Sequence, residues 1–212
     1  MLENCIELML SAFYAQSRTI VRMNIDEDIE TCLDFLSKLS VNCNIRQENE
    51  ITVLPVKQLK RGASIEIDCA SARLAYFLMG LSTAFNLSVK INRLSSLLNK
   101  EQVKLFSESL ENTFVYSFNG DQFVFSCFSV SEMPSFENIE NDFLCAGVIF
   151  SAPFKAENVS FNVGKNMNGK YVKTVLDKIS LFGAEAETED NILYVSSLYA
   201  KKFLKNKIGE NT

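Results

Sequence analysis

Side chains able to do chemistry are thinly spread along this chain, and one kind is missing: there is no histidine. That absence removes mechanisms built on an imidazole base, on a Ser/His or Cys/His pair, or on a histidine metal ligand. Carboxylates cluster at Asp26-Glu27-Asp28 and at Glu185, Glu187, Glu189 and Asp190. The first set reads as the acidic opening of a helix, where the dipole favours negative charge, and the second alternates like the solvent face of a strand. No metal site is expected from either. Asp142 could act as a general base, but no cation lies near it in sequence, so it reads better as a helix N-cap. The eight glycines are isolated and form no phosphate-cradling loop.

The six cysteines (Cys5, Cys32, Cys43, Cys69, Cys127, Cys145) lie mostly in apolar segments with no CxxC, and no signal peptide is expected before them. They read as reduced core residues of a cytoplasmic protein. The chain has 212 residues, 47% of them hydrophobic, and a net charge of −5, which argues against a nucleic-acid partner. Its longest apolar stretches, such as Leu144 to Phe150, are far too short to span a bilayer. The one dense basic run, Lys201, Lys202, Lys205 and Lys207, reads as the solvated side of a closing helix or tail over 199–212.

The elements that must position these residues repeat. Leu33 to Val41, Asn42 to Gln47 and Ile51-Thr52-Val53 read as an amphipathic helix followed by two strands. The pattern returns at Lys104 to Leu110, Phe114 to Phe118 and Phe123-Val124-Phe125, and again at Thr174 to Phe182, Ala184 to Glu187 and Ile192 to Val195. Val53, Phe125 and Val195 hold equivalent places, as do Thr19, Val89 and Val159, so both series keep one nearly constant period. Upstream in each unit is an apolar helical run followed by a strand, and Ser64-Ile65-Glu66-Ile67 adds a strand at the head of the second. Runs carrying Leu81, Phe85, Val148 and Ile149 are apolar on nearly all sides and belong inside. The expected architecture is α/β (α+β): three βαβαββ-type units, about 1–60, 61–130 and 131–198, with central helices and outer sheets. Scarce proline and glycine leave no evident linker, so 1–212 is expected to form a single domain.

Four segments in order resemble the enolpyruvyl transferases, and among them the 5-enolpyruvylshikimate-3-phosphate (EPSP) synthases. They are Ser17-Arg18-Thr19-Ile20 through Glu27-Asp28-Ile29; Ile67-Asp68-Cys69-Ala70-Ser71-Ala72-Arg73-Leu74; Asn141-Asp142-Phe143-Leu144 with Ser151-Ala152-Pro153; and Tyr171-Val172-Lys173-Thr174 with Phe182-Gly183-Ala184. The resemblance implies one lobe of a two-lobed enzyme of aromatic amino acid biosynthesis (the shikimate pathway), which binds phosphate-bearing substrates between its lobes and needs no cofactor. A closing two-lobed site cannot be made by one lobe.

The family's phosphate-holding Lys, Ser and Arg fall on Met1, Leu2 and Ile6, all apolar. The Thr and Arg of its next motif fall on Arg73 and Tyr76, and a further arginine falls near Glu101. Exchanging a phosphate-clamping arginine for a carboxylate turns attraction into repulsion. By resemblance, Ser71, Arg73, Asn141 and Tyr171 are the substrate-binding candidates, and no catalytic residue is expected. Two readings follow: a lobe that is catalytically inactive alone, or half of a split transferase moving an enolpyruvyl group from phosphoenolpyruvate to shikimate-3-phosphate. The implied partners are a second-lobe chain, another copy of this chain, or a small phosphorylated ligand. The expected contact surface is the face carrying Met1, Leu2, Tyr76, Glu101, Asn141 and Tyr171.

Overall fold

The computed structural model describes residues 2–47, 49–55, 62–69, 71–94, 97–111, 113–128 and 133–198. Met1 and the closing helix or tail expected over 199–212, with its four lysines, lie outside them.

The three units follow the repeat read from the sequence. Unit one is α1 (Leu2–Phe13), β1 (Thr19–Arg22), α2 (Glu27–Lys38), β2 (Asn42–Gln47) and β3 (Glu50–Leu54). Unit two is β4 (Ser64–Asp68), α3 (Ala72–Phe85), β5 (Ser88–Asn92), α4 (Lys100–Ser109), β6 (Phe114–Asn119) and β7 (Gln122–Cys127). Unit three is α5 (Asp142–Ser151), β8 (Val159–Asn162), α6 (Lys170–Leu181), β9 (Ala186–Glu189) and β10 (Ile192–Val195).

Each unit folds its strands into its own sheet, in the orders β1-β3-β2, β4-β5-β7-β6 and β8-β10-β9. The register repeats with the sequence: Thr19 pairs with Val53, Val89 with Phe125, and Val159 with Val195. β4 lies parallel to β5, while the other paired strands run antiparallel. Among the described residues only unit two has the full βαβαββ order. In unit three a stretch without regular secondary structure around Phe136 takes the place of the first strand, the Phe136 N–H donating to the Asn162 carbonyl of β8 at 2.7 Å.

The helices divide by pattern into two kinds. α2, α4 and α6 bury one stripe each, such as Ile29, Cys32, Phe35 and Leu36, or Val172, Val175 and Ile179; α2 packs on α1, β2 and β4, α4 on β6, and α6 on α5 and α1. α1, α3 and α5 are buried almost all round and form the centre. Two glycines let α3 and α5 touch backbone to backbone: a Cβ on Gly80 would lie 2.3 Å from the Leu144 carbonyl oxygen, and one on Gly147 would lie 2.1 Å from that of Phe77. At the C-terminal ends of the three central helices, Phe13 stacks on Phe85 at 5.4 Å and meets Phe150 edge-on at 6.1 Å. Tyr14 donates to the Phe150 carbonyl at 2.5 Å, so its hydroxyl is paired within this apolar end. Aromatic packing therefore closes one end of the trio, and the three N-termini share the other.

All six cysteines are free; five are buried, and Cys43, on the edge strand β2, is half-buried. No described helix is long and apolar enough to cross a membrane.

Candidate functional site at the N-terminal ends of the central helices

A strand-to-helix junction delivers each candidate to the end where α1, α3 and α5 begin. Ser71 ends the link from β4 and is the N-cap of α3, its Oγ accepting the Leu74 N–H at 3.3 Å. The same hydroxyl acts on the Asp28 carboxyl, partly offsetting the rise that burial causes there. Asn141 caps α5 in the same manner, Oδ1 accepting the Leu144 N–H at 3.0 Å. Both side chains therefore complete helix ends.

Asp142 is a cap, as its sequence context suggests, but for a neighbouring helix. Its Oδ2 accepts the Tyr171 N–H and its Oδ1 the Val172 N–H, both at 2.9 Å, which joins the start of α5 to the start of α6. Gly169 permits this approach, since a Cβ there would lie 2.0 Å from Asp142 Oδ1. A carboxylate holding two backbone donors at a helix N-terminus does structural work and is poorly placed to take a proton from a substrate.

Arg73 and Tyr171 come together over a residue the sequence reasoning did not select. The Arg73 guanidinium carbon lies 5.8 Å from the Phe143 ring centroid, and the Tyr171 ring lies 4.9 Å from it on a tilted plane. Lys170 stands 5.6 Å from the Tyr171 ring and pairs with Glu3 of α1 at 2.6 Å. That pair holds the Glu3 carboxyl below and the Lys170 ammonium above their ordinary values, through their hydrogen bond first and their attraction second. Phe143, Lys170 and Glu3 were missed because each looks ordinary alone. The available signal was a cation beside an aromatic, Lys170-Tyr171, at the head of an amphipathic helix.

Three of the positions that the resemblance assigns to phosphate ligands, Leu2, Ile6 and Tyr76, are buried. Leu2 and Ile6 are 2% and 0% exposed, inside the core. Tyr76 is also buried, its hydroxyl accepting the Asn99 N–H at 2.7 Å, and burial pushes its phenol above the ordinary value. Glu101 is exposed in the first turn of α4. The expected contact surface is thus corrected: Leu2 and Tyr76 cannot meet a partner, because their faces of α1 and α3 point into the molecule. Glu3, Arg73, Phe143, Lys170 and Tyr171 form the accessible part instead. A separate open cleft of ≈ 390 Å³ between α2 and the β4–β5 edge is lined by Glu27, Glu30, Asp34, Glu66 and Asp68, with Lys38 and Arg93. Its surplus of carboxylates disfavours an anionic ligand.

The arrangement of central helices inside three outer sheets defines a class, the lobe of an enolpyruvyl transferase-like α/β fold, and solved structures agree. No family model matches the sequence, and no curated protein matches it. An EPSP synthase from Acinetobacter baumannii superposes with a TM-score of 0.65 at 13% identity, over 92% of this chain and 45% of that one. Another structure of EPSP synthase from the same organism gives a TM-score of 0.61 at 13% identity, over 93% and 45%. The chain thus spans less than half the length of these neighbours and corresponds to an EPSP synthase-like half.

Proposed function

We propose that this chain is a single-domain lobe of the enolpyruvyl transferase fold that does not transfer an enolpyruvyl group on its own. The observation that carries this reading is the state of the phosphate-clamp positions: Leu2 and Ile6 are packed in the core, and Glu101 offers the wrong charge. Near them, Lys170 is already paired with Glu3. Each missing charge-assisted contact to a phosphate costs about 1.5–3 kcal/mol, and several are missing together with a second lobe. In this reading the chain acts in the cytoplasm, through association with another chain or another copy at the face bearing Arg73, Phe143 and Tyr171.

The test is direct. With shikimate-3-phosphate and phosphoenolpyruvate, the purified chain should release no inorganic phosphate above a blank, and neither compound should raise its melting temperature. Phosphate release by the chain alone would overturn the reading. A second reading, half of a split transferase, is favoured by the exposure of Arg73 beside Tyr171, which leaves one cation and one phenol facing the position of an opposite lobe. It requires a separate chain to bring the remaining cationic ligands. Activity that appears only on mixing with such a chain would establish it.

A further inference from the structure

Asparagine is followed by glycine twice in the chain, at Asn119-Gly120 and at Asn168-Gly169, and the fold treats the two pairs differently. Such a pair has chemistry of its own. The backbone nitrogen of the glycine can attack Cγ of the asparagine side chain, because a following residue without a side chain leaves the approach open. The new C–N bond closes a cyclic imide, the side-chain nitrogen departs as ammonia with the proton that the glycine nitrogen gives up, and water then opens the ring. Opening at one carbonyl leaves aspartate and at the other isoaspartate. The sum is asparagine plus water giving an acid and ammonia, with no oxidant or cofactor. The dipeptide alone ranks the two sites equally.

Both asparagines are exposed, so access to water does not separate them either. The freedom of the peptide that must turn does. Ring closure requires the asparagine backbone to rotate until the next nitrogen faces its own side chain, an arrangement found neither in an extended strand nor in a 3₁₀ turn. A local opening therefore precedes the reaction, and its cost sets the rate.

Asn168 ends the 3₁₀ turn Gly164–Asn168, and Gly169 is wedged between the starts of α5 and α6. The Gly169 N–H, which would be the attacking group, donates to the Asn166 carbonyl at 2.7 Å. A Cβ on Gly169 would lie 2.0 Å from Asp142 Oδ1 and 2.9 Å from the Asn166 carbonyl oxygen. The same carboxylate holds the Tyr171 and Val172 N–H groups, and the buried Asn166 side chain donates to the Ile139 carbonyl at 2.6 Å. Turning this peptide means undoing the start of α6.

Asn119 is the last residue of β6 and pairs with Gln122 across a two-residue turn, Gly120-Asp121. Gly120 has a φ of 58°, the left-handed value that glycine takes at the first position of such a turn, and a Cβ there would meet nothing within 4 Å. The turn is tied through Asp121, whose carbonyl accepts the Leu94 N–H at 3.0 Å, beyond the peptide that has to rotate. Opening disturbs the end pair of the end strand in the order β4-β5-β7-β6. We propose that Asn119 is a modification site, converted to aspartate and isoaspartate through attack by the Gly120 nitrogen, while the Asp142 cap at the start of α6 holds Asn168 unreactive. The product places a carboxylate close to Asp121 and, as isoaspartate, an extra backbone carbon at the end of β6. One pair further in, Phe118 and Phe123 stack at 4.8 Å and keep the hairpin together.

Peptide mass spectrometry of the full chain, aged in mildly alkaline buffer, tests this, with a parallel sample aged in concentrated urea to give each site its unfolded rate. The ratio of the Asn119 rate to the Asn168 rate should rise at least about tenfold from urea to the folded chain. The modified peptide gains the mass of an NH2-to-OH exchange, and a methyltransferase specific for isoaspartate should label it at residue 119. Asn119→Gln should remove the acidic species that accumulates on isoelectric focusing of the folded chain, and Asn168→Gln should leave it. A rate ratio in the folded chain no higher than in urea would overturn the proposal. So would reaction of Asn119 in urea with none in the folded chain.

Discussion

Asp142 carries two backbone donors of another helix, and few side chains here do more for so little surface. Asp142→Ala should lower stability by about 1–2 kcal/mol, the usual cost of an N-cap, and Asp142→Asn by less, because one acceptor oxygen remains. Urea titrations of the three proteins check this, and an unchanged midpoint for the alanine variant would show the caps to be replaceable by water. Asp28 gives a pH dependence of known sign. Burial comes first among the influences that raise its carboxyl above the ordinary value; repulsion from Asp26 adds to this, and the Ser71 hydroxyl partly offsets it. A carboxyl raised on folding binds its proton more tightly in the folded chain, so its contribution to stability grows as pH falls from neutral through the raised value. Asp28→Asn should therefore be more stable than the parent at pH 7, with the gap narrowing as pH falls. Urea midpoints at both ends of that range decide it.

Among the elements, the close contact of α3 and α5 is the most exacting. Small residues are required where two helix backbones touch, and both Gly80 and Gly147 face carbonyl oxygens of the opposite helix. Gly147→Ala should cost on the order of 3 kcal/mol, because backbone cannot swing aside as a side chain can. Thermal and urea unfolding measure it, and a negligible loss would mean the helices separate at little cost. The outer helices are more tolerant, since α2, α4 and α6 bury single stripes and leave the rest to water.

For the whole molecule, buried side chains from α1 in unit one to β10 in unit three join one hydrophobic cluster. If the chain, 1–212, is one domain, as we propose, far-ultraviolet dichroism and tyrosine fluorescence should report a single coincident unfolding transition. Two separable transitions would divide the chain into independent units.

Much of the fold was legible in the sequence because periodicity records burial. The nearly constant spacing of Thr19, Val89 and Val159 marked out the units, and all-round apolarity separated α3 and α5 from the amphipathic helices. Asp26-Glu27-Asp28 marked the start of α2, whose N-cap is Asp26. The candidate site was legible only in part. Ser71, Arg73, Asn141 and Tyr171 were selected, and Ser71 and Asn141 also cap helices, while Leu2 and Tyr76 lie inside rather than on a contact face. Local pattern determines whether a residue is buried and in what kind of element. Which side chains from separate units meet, such as Arg73 with Phe143, Lys170 with Glu3 and Asp142 with the start of α6, depends on how three helix ends are brought together. That was decided by the tertiary packing of α1, α3 and α5, through contacts between residues far apart in the chain.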